Sequence, residues 1–334
     1  MLKEQYPKES MRLQLRQVTH QAESINSFEM VDPEGKDLPE YSAGAHIDFY
    51  FRDGSIRQYS LCGDPSDRKR YLIAVLRDEK GRGGSIALHE RLHVQREVYV
   101  GKPRNNFPID EKAKHHLMIA GGIGVTPMLS MIYELQKTGG DYTLHYCTKS
   151  QKNTAFQAEF APLIESGKVI VHHDQGIPGN GLDIKKLLEE YNSGTHLYYC
   201  GPPGFMSAVK EFSSHWPEGT VHFEYFGAPV KDKEIAEENT KTAESESIDG
   251  FQVKIASTGA LYQIPDDKTI IDVLAENGVN IDMSCNSGLC KTCAIKYIEG
   301  EVDHQDVVLS QAERSEYMTP CVSRAKSDLL VLDI

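Results

Sequence analysis

Only one of the 334 residues is tryptophan and seven are cysteine, and no window approaches eighteen uninterrupted apolar residues. The missing apolar run excludes a helical membrane span. The opening "MLKEQYPKESMRLQLRQ" holds no apolar stretch of signal-peptide length before its charges, so a cytoplasmic protein is expected. Positive charge is also scarce: 36 Lys and Arg stand against 49 Asp and Glu, a formal net charge of -13. That balance argues against nonspecific nucleic-acid binding and anionic membrane surfaces, and suits either plain solubility or a basic protein partner. A chain this long has room for two or three cores, so crosslinks and metals are not needed merely to hold it together.

Three textures follow one another. From about Leu13 to Phe107, short alternating runs such as "HIDFYF" and "RYLIAVLR" predict an antiparallel sheet or β-barrel. From about His115, strands such as "HHLMIA", "YTLHYC", "KVIVHH" and "HLYYC" alternate with helices expected over "MLSMIYELQ", "AFQAEFAPLIE", "LDIKKLLEEY" and "PGFMSAVKEFSSH". This spacing predicts an α/β domain with a parallel sheet covered on both faces. Residues 228–249 are rich in acids and nearly bare of apolar side chains, which predicts a mobile linker, with a short exposed helix as the alternative. The last block offers strands "FQVKIAS" and "LYQIP", a helix "TIIDVLAENG" and a closing strand "LLVLDI". The expected boundaries are therefore 1–110, 111–227, 228–249 and 250–334.

Chemistry-bearing residues sit at the joints of these blocks. In "LMIAGGIGVTPMLS", Gly121, Gly122 and Gly124 separate a strand ending near Ala120 from a helix starting at Thr126 or Pro127. Glycines there permit a sharp turn, and a helix N-terminus favours a phosphate, although a purely structural turn has the same composition. A second loop of this kind, "YYCGPPGFM", holds Cys200, Gly201 and Pro202 at another strand end, where ligands of open parallel sheets bind. Cys200 also suits a small apolar filler. In the first block, "GSIRQYSLCG" sets a cation, a ring and a hydroxyl on one strand as Arg57, Tyr59 and Ser60. A phosphate and a planar heterocycle would want those groups, and an ordinary barrel strand could also carry them.

The cysteines run Cys285-x4-Cys290-x2-Cys293, with Cys321 as a distant fourth. Four thiolates at this spacing match a plant-type [2Fe-2S] site, whereas closed zinc sites ordinarily pair C-x2-C knuckles. Zinc and inert thiols remain the alternatives.

Taken in order, "RQYSLCGDP", "GRGGS", "AGGIGVTPMLS" and "YYCGPPGFM" resemble the ferredoxin-NADP reductase superfamily, and specifically its phthalate dioxygenase reductase branch. The resemblance covers essentially the whole chain. It implies an FMN-binding barrel, an NADH-binding α/β domain and a C-terminal β-grasp ferredoxin domain whose cluster is held by Cys285, Cys290, Cys293 and Cys321. It directs Arg57 to the FMN phosphate, with Gln58 beside it, Tyr59 to the isoalloxazine and Ser60 to its reactive nitrogen. It makes Gly83, Gly84 and Ser85 a second phosphate clamp, lays the backbone of Ala74, Val75 and Leu76 along the flavin edge, and sets Phe226 on the ring. Ser60, Tyr59, Cys200 and Phe226 become the candidate catalytic residues. Ser150, Asp174 and the segment Thr154 to Phe156 join the glycines in the nucleotide pocket; Lys149 and Lys152, just past a strand, either suit a 2′-phosphate or are ordinary exposed lysines, and the resemblance favours NADH. The implied acceptor is a Rieske-type non-haem iron oxygenase acting on an aromatic carboxylate, an aryl methyl ether or a quaternary amine, served by a monomeric reductase. A stand-alone NADH:quinone or ferric reductase and a non-enzymatic iron-sulfur carrier are the competing readings. One departure stands out: Lys291 occupies the position after the second ligand where relatives usually carry glycine. It is expected either to raise the cluster potential or to dock an acidic patch.

Overall fold

Alternation of buried and exposed side chains builds the first sheet. The computed structural model describes residues 6–81, 83–177, 179–226, 250–283, 288 and 291–334, and the chain divides into two units, one ending at Phe226 and the other beginning at Gly227. The expected linker, 228–249, lies outside the described residues, as do Cys285 and Cys290.

In the first unit the strands β1 (Met11–Ala22), β2 (Ile25–Val31), β3 (His46–Tyr50), β4 (Ile56–Ser60) and β5 (Tyr71–Leu76) precede helix α1 (Gly84–Arg91) and strand β6 (Glu97–Val100). They form an antiparallel sheet in the order β4-β3-β6-β1-β2-β5. A single bridge between Leu61 and Ile73, with the Cys62 N–H donating to the Leu72 carbonyl at 2.9 Å, draws the two edges together into a barrel. Leu13, Leu15, Phe28, Ile47, Ile73 and Val100 fill it, each such burial worth roughly 1.5–3 kcal/mol before the entropy of ordering is subtracted.

The second half of this unit runs β7 (His115–Gly121), α2 (Val125–Thr138), β8 (Tyr142–Thr148), α3 (Gln157–Glu165), β9 (Val169–His173), α4 (Ile184–Leu188), β10 (Thr195–Cys200), α5 (Pro203–Phe212) and β11 (Val221–Glu224). Its five strands are all parallel, in the order β11-β10-β7-β8-β9. Helix α2 stops at Gly139, whose φ of 75° suits glycine. Helix α4 is shorter than "LDIKKLLEEY" predicts, ending before Glu189 and Glu190. Two acids at a helix C-terminus oppose the helix dipole, and Tyr191 turns instead to pack edge-on against Trp216. Barrel and sheet share one core, in which Ala22, Ile25, Ala43 and Phe107 meet Met128, Met131 and Tyr198.

The C-terminal unit contains β12 (Phe251–Ile255), β13 (Leu261–Ile264), α6 (Ile270–Glu276), β14 (Ile295–Glu299), β15 (Val302–Asp303), β16 (Tyr317–Met318), β17 (Arg324–Ala325) and β18 (Leu329–Leu332). The main sheet has the order β13-β12-β18-β14-β16, with β12 and β18 parallel and the remaining neighbours antiparallel. This is the β-grasp arrangement. Thr269 caps α6 reciprocally with Asp272, and Ile270, Val273 and Leu274 press its apolar face onto the sheet.

Candidate redox site

The parallel sheet reverses its direction of winding at β7, with β8 on one side and β10 on the other. Open α/β sheets bind ligands outside the strand carboxyl ends at such a switch point. Both glycine loops lie there, and they touch. A Cβ on Gly124 would stand 2.2 Å from the Cys200 carbonyl oxygen, and one on Gly121 would stand 2.8 Å from Pro202 Cδ. Gly201 is equally tight, 2.6 Å from a Phe205 ring carbon and 3.1 Å from Gly121 Cα, so at three of the expected glycines a Cβ would displace atoms of the joined loops. Thr126 is buried and its hydroxyl donates to the Ile123 carbonyl at 3.0 Å, which stabilises the turn from within. On the far side of β7, the Asp174 N–H donates to the Thr148 carbonyl at 3.2 Å and its carboxylate accepts from the Gly176 N–H at 2.7 Å. Ser150 donates to Asn153 Oδ1 at 2.9 Å. Phe156 is fully buried and packs edge-on against Phe160, so its ring belongs to the core.

The barrel supplies a second opening. Counting back from the Leu61–Ile73 bridge, an antiparallel ladder would set Ser60, Tyr59 and Gln58 opposite Ala74, Val75 and Leu76. Among the described residues no ladder continues there, so the two edge strands part over the segments expected to border a flavin. Gly83, at φ 82°, introduces α1, and a Cβ on Gly84 would lie 2.8 Å from Arg57 Cγ. The guanidinium stem thus crosses the helix start, where backbone N–H groups lack intrahelical partners. A cation beside those donors fits a phosphate. Ser85 Oγ is engaged within the loop, accepting from the Asp78 N–H at 3.1 Å, so its backbone is the more available clamp. Tyr59 is half-buried, set edge-on to Phe49.

The two openings are joined by one hydrogen bond. Ser60 Oγ donates to Glu224 Oε2 at 3.0 Å, linking the edge of the barrel to the last strand of the parallel sheet. His46 Nδ1 stands 3.6 Å from the other carboxylate oxygen, and Gln58 Nε2 reaches Asp48 at 3.3 Å behind it. Cys200 pairs in register with Glu224 and is completely buried; burial, then the neighbouring carboxylate, pushes its thiol well above the usual range. It is a neutral thiol. Phe226, the last described residue of this unit, is exposed at 43%.

In the C-terminal unit Cys293 and Cys321 are both buried and 3.2 Å apart at sulfur, enclosed by Ile271, Ile281 and Val322. Gly288 adopts φ 68°, and a Cβ there would meet Val322 Cγ2 at 2.7 Å. Two converging thiols in an apolar shell fit half of the four-thiolate donor set that a [2Fe-2S] centre takes.

A model of the 2Fe-2S iron-sulfur cluster binding domain matches residues 253–326. A second model, of the N-terminal domain of dimethylamine monooxygenase subunit DmmA-like proteins, matches residues 102–216. The chain is 54% identical over 331 residues to the reductase subunit of a tert-butanol monooxygenase / tert-amyl alcohol desaturase of Aquincola tertiaricarbonis, covering 98% of this chain and 97% of that one. It is 41% identical to the phthalate dioxygenase reductase of Burkholderia cepacia, with 97% of each chain covered. A solved phthalate dioxygenase reductase, described as a modular structure for electron transfer from pyridine nucleotides to [2Fe-2S], superposes with a TM-score of 0.71 at 39% identity over 98% of both chains. The chain belongs to the phthalate dioxygenase reductase-like family.

As a phthalate dioxygenase reductase-like protein it is an oxidoreductase that delivers electrons to oxygenase systems, using NADH, FMN and a [2Fe-2S] centre. No helix among the described residues is long and apolar enough to cross a membrane. Two acids of this family member escape sequence reasoning, Glu224 beside Ser60 and Glu313 beside Lys291. Glu224 lies 164 residues from Ser60, and its only signal was being the sole acid in "VHFEYFG", the segment that closes the domain. Lys291 does take the left-handed backbone that glycine favours, at φ 55°. Its ammonium is not left open, because Nζ donates to both Glu313 oxygens at 2.8 and 2.9 Å. Burial alone would raise the Glu313 carboxyl, yet hydrogen bonds from Lys291 and Ser310 hold it below the ordinary range.

Proposed function

We propose that this chain oxidises NADH and passes the electrons one at a time to a Rieske-type non-haem iron oxygenase, as a monomer in the cytoplasm. The meeting of the barrel's parted edge and the sheet's switch point across the Ser60–Glu224 bond, 3.0 Å long, carries the reading. Bound FMN, which exchanges either one or two electrons, supplies the chemistry that joins a hydride donor to a one-electron cluster. Arg57 and the backbone N–H groups of Gly83 to Ser85 hold its phosphate. Gln58, Tyr59 and Phe226 wall the ring, and the backbone of Ala74, Val75 and Leu76 lies along its edge. Glu224 accepts the hydrogen bond of the Ser60 hydroxyl, which turns the lone pairs of Ser60 Oγ towards the ring and fixes its orientation.

Gly121, Gly122, Gly124 and the Cys200-Gly201-Pro202 turn shape the crevice for the nicotinamide end, with Thr126 locking the turn. Ser150 and Asp174 border the adenosine end, where a carboxylate hydrogen-bonds a ribose hydroxyl and repels a 2′-phosphate, favouring NADH over NADPH. Cys285, Cys290, Cys293 and Cys321 ligate the cluster. The acceptor's substrate is bound by the oxygenase. The relative at 54% identity serves a tert-butanol monooxygenase / tert-amyl alcohol desaturase, so a small tertiary alcohol is favoured over an aromatic carboxylate. Reduction of a purified Rieske oxygenase by NADH through this chain, faster than reduction of a quinone, is the expected result. Quinone reduction that outpaces it would establish the stand-alone reductase instead.

A further inference from the structure

The carboxyl ends of the parallel strands carry the redox site; their opposite ends carry a cluster of metal-binding side chains that it does not use. Asp110 lies on the connector between β6 and β7, His196 near the start of β10, and His222 near the start of β11. His196 Nδ1 and His222 Nε2 are 3.0 Å apart, and Asp110 Oδ2 is 3.7 Å from the same His196 nitrogen. Their three ligand atoms all lie within 4.8 Å of one another, and no other His, Cys, Asp or Glu set of three is so arranged among the described residues. Ligand atoms about 2.0–2.1 Å from a tetrahedral zinc ion stand about 3.3 Å apart, a spacing these side chains reach by small rotations.

We propose that Asp110, His196 and His222 form a binding site for a divalent transition-metal ion of the zinc class.

Hydrogen bonding alone does not account for the arrangement. One proton can serve the His196–His222 pair, and the carboxylate oxygen at 3.7 Å is then beyond hydrogen-bond reach. Asp110 Oδ1 accepts from the Lys112 N–H at 2.8 Å, and the Asp110 N–H donates to the Tyr198 hydroxyl at 2.8 Å, which fixes the residue and turns Oδ2 to the histidines. Tyr198 stacks on the His222 ring with centroids 4.6 Å apart, setting its orientation as a supporting shell does for a metal ligand. Two imidazoles and one carboxylate suit zinc, and the partial exposure of all three leaves the remaining position to water. The ion would tie the connector between barrel and sheet to strands β10 and β11. His222 and Glu224 share a face of β11, so the tie ends one side-chain step from the acid that holds Ser60.

The test is Co²⁺ titration of the full-length holoprotein, with flavin and cluster absorption followed to confirm that both stay loaded, and Zn²⁺ as competitor. One equivalent is expected, with the intense visible bands of a low-coordinate Co²⁺ ion, displaced by Zn²⁺. His196→Ala and His222→Ala should each weaken it by about 100-fold or more, since each deletes a ligand. Absence of binding, or binding that survives the double His196→Ala/His222→Ala change, overturns the proposal. Should the variants not fold, anomalous scattering at the cobalt edge from wild-type crystals decides: a peak between the two histidines supports the site, and its absence there overturns it. Neither readout depends on NADH turnover.

Discussion

Two side chains carry the most informative chemistry. Glu224 fixes the Ser60 hydroxyl, so Glu224→Gln should slow NADH-driven flavin reduction by about 10–100-fold while flavin and cluster contents stay at wild-type levels. Stopped-flow reduction of the two proteins checks this. At Lys291 two effects compete. A non-glycine residue in the left-handed region costs about 1–2 kcal/mol, and a half-exposed ion pair returns about 0.2–1 kcal/mol. Relief of the backbone wins, so Lys291→Gly should stabilise the C-terminal domain by up to about 1 kcal/mol in thermal unfolding. The lysine charge is balanced by Glu313, so the intact pair should have little net effect on the cluster and loss of either partner should expose the other's charge. Redox titration should show a higher midpoint in Glu313→Gln, where the lysine charge is left alone, a lower one in Lys291→Gly, where the carboxylate is left alone, and little movement when both are changed. The sequence exposed Lys291 as an exception because it breaks a local pattern. It could not expose Glu313, twenty-two positions away, since nothing local couples the two.

At the scale of elements, the legible parts are those whose causes are local. Alternating strands, the glycines after β7 and β10, and the capping of α6 by Thr269 all follow from neighbours in sequence. The shortened α4 and the parting of β4 from β5 do not, because one depends on Trp216 and the other on barrel closure at Leu61 and Ile73. Gly124 shows how closely two elements can be coupled. In Gly124→Ala the new methyl carbon would overlap the Cys200 carbonyl oxygen at 2.2 Å, forcing the two switch-point loops apart. The KM for NADH should rise about tenfold or more with the cluster domain unaffected, measured by steady-state kinetics beside the cluster spectrum. In the barrel, Glu29 is buried between Arg16 and Arg70. Burial would raise its carboxyl, but the arginine hydrogen bonds prevail and leave it below the ordinary value of 4.5. A depressed carboxyl stabilises the fold above its unfolded pKa, and that stabilisation is lost as pH falls through the folded value. Glu29→Gln should therefore cost about 1–3 kcal/mol near neutral pH, discounted for the half-exposed arginines, and the gap from wild type should close below about pH 4. Denaturant melts at several pH values measure it.

For the whole molecule, the order of motifs along the chain was more telling than any one of them, because each glycine loop or cysteine pair alone has a structural explanation. On the proposed reading the chain of cofactors gives each module a reason for the next: hydride would arrive at the switch point, and single electrons would leave by the thiols of the C-terminal unit. That account makes the cluster an obligatory exit. Anaerobic rapid mixing with NADH and a purified Rieske oxygenase, comparing wild type with Cys321→Ser, tests it most directly. Flavin reduction at the wild-type rate in both proteins, with Rieske reduction abolished in the variant, is the predicted result. Rieske reduction that proceeds at the wild-type rate without an intact cluster would contradict it.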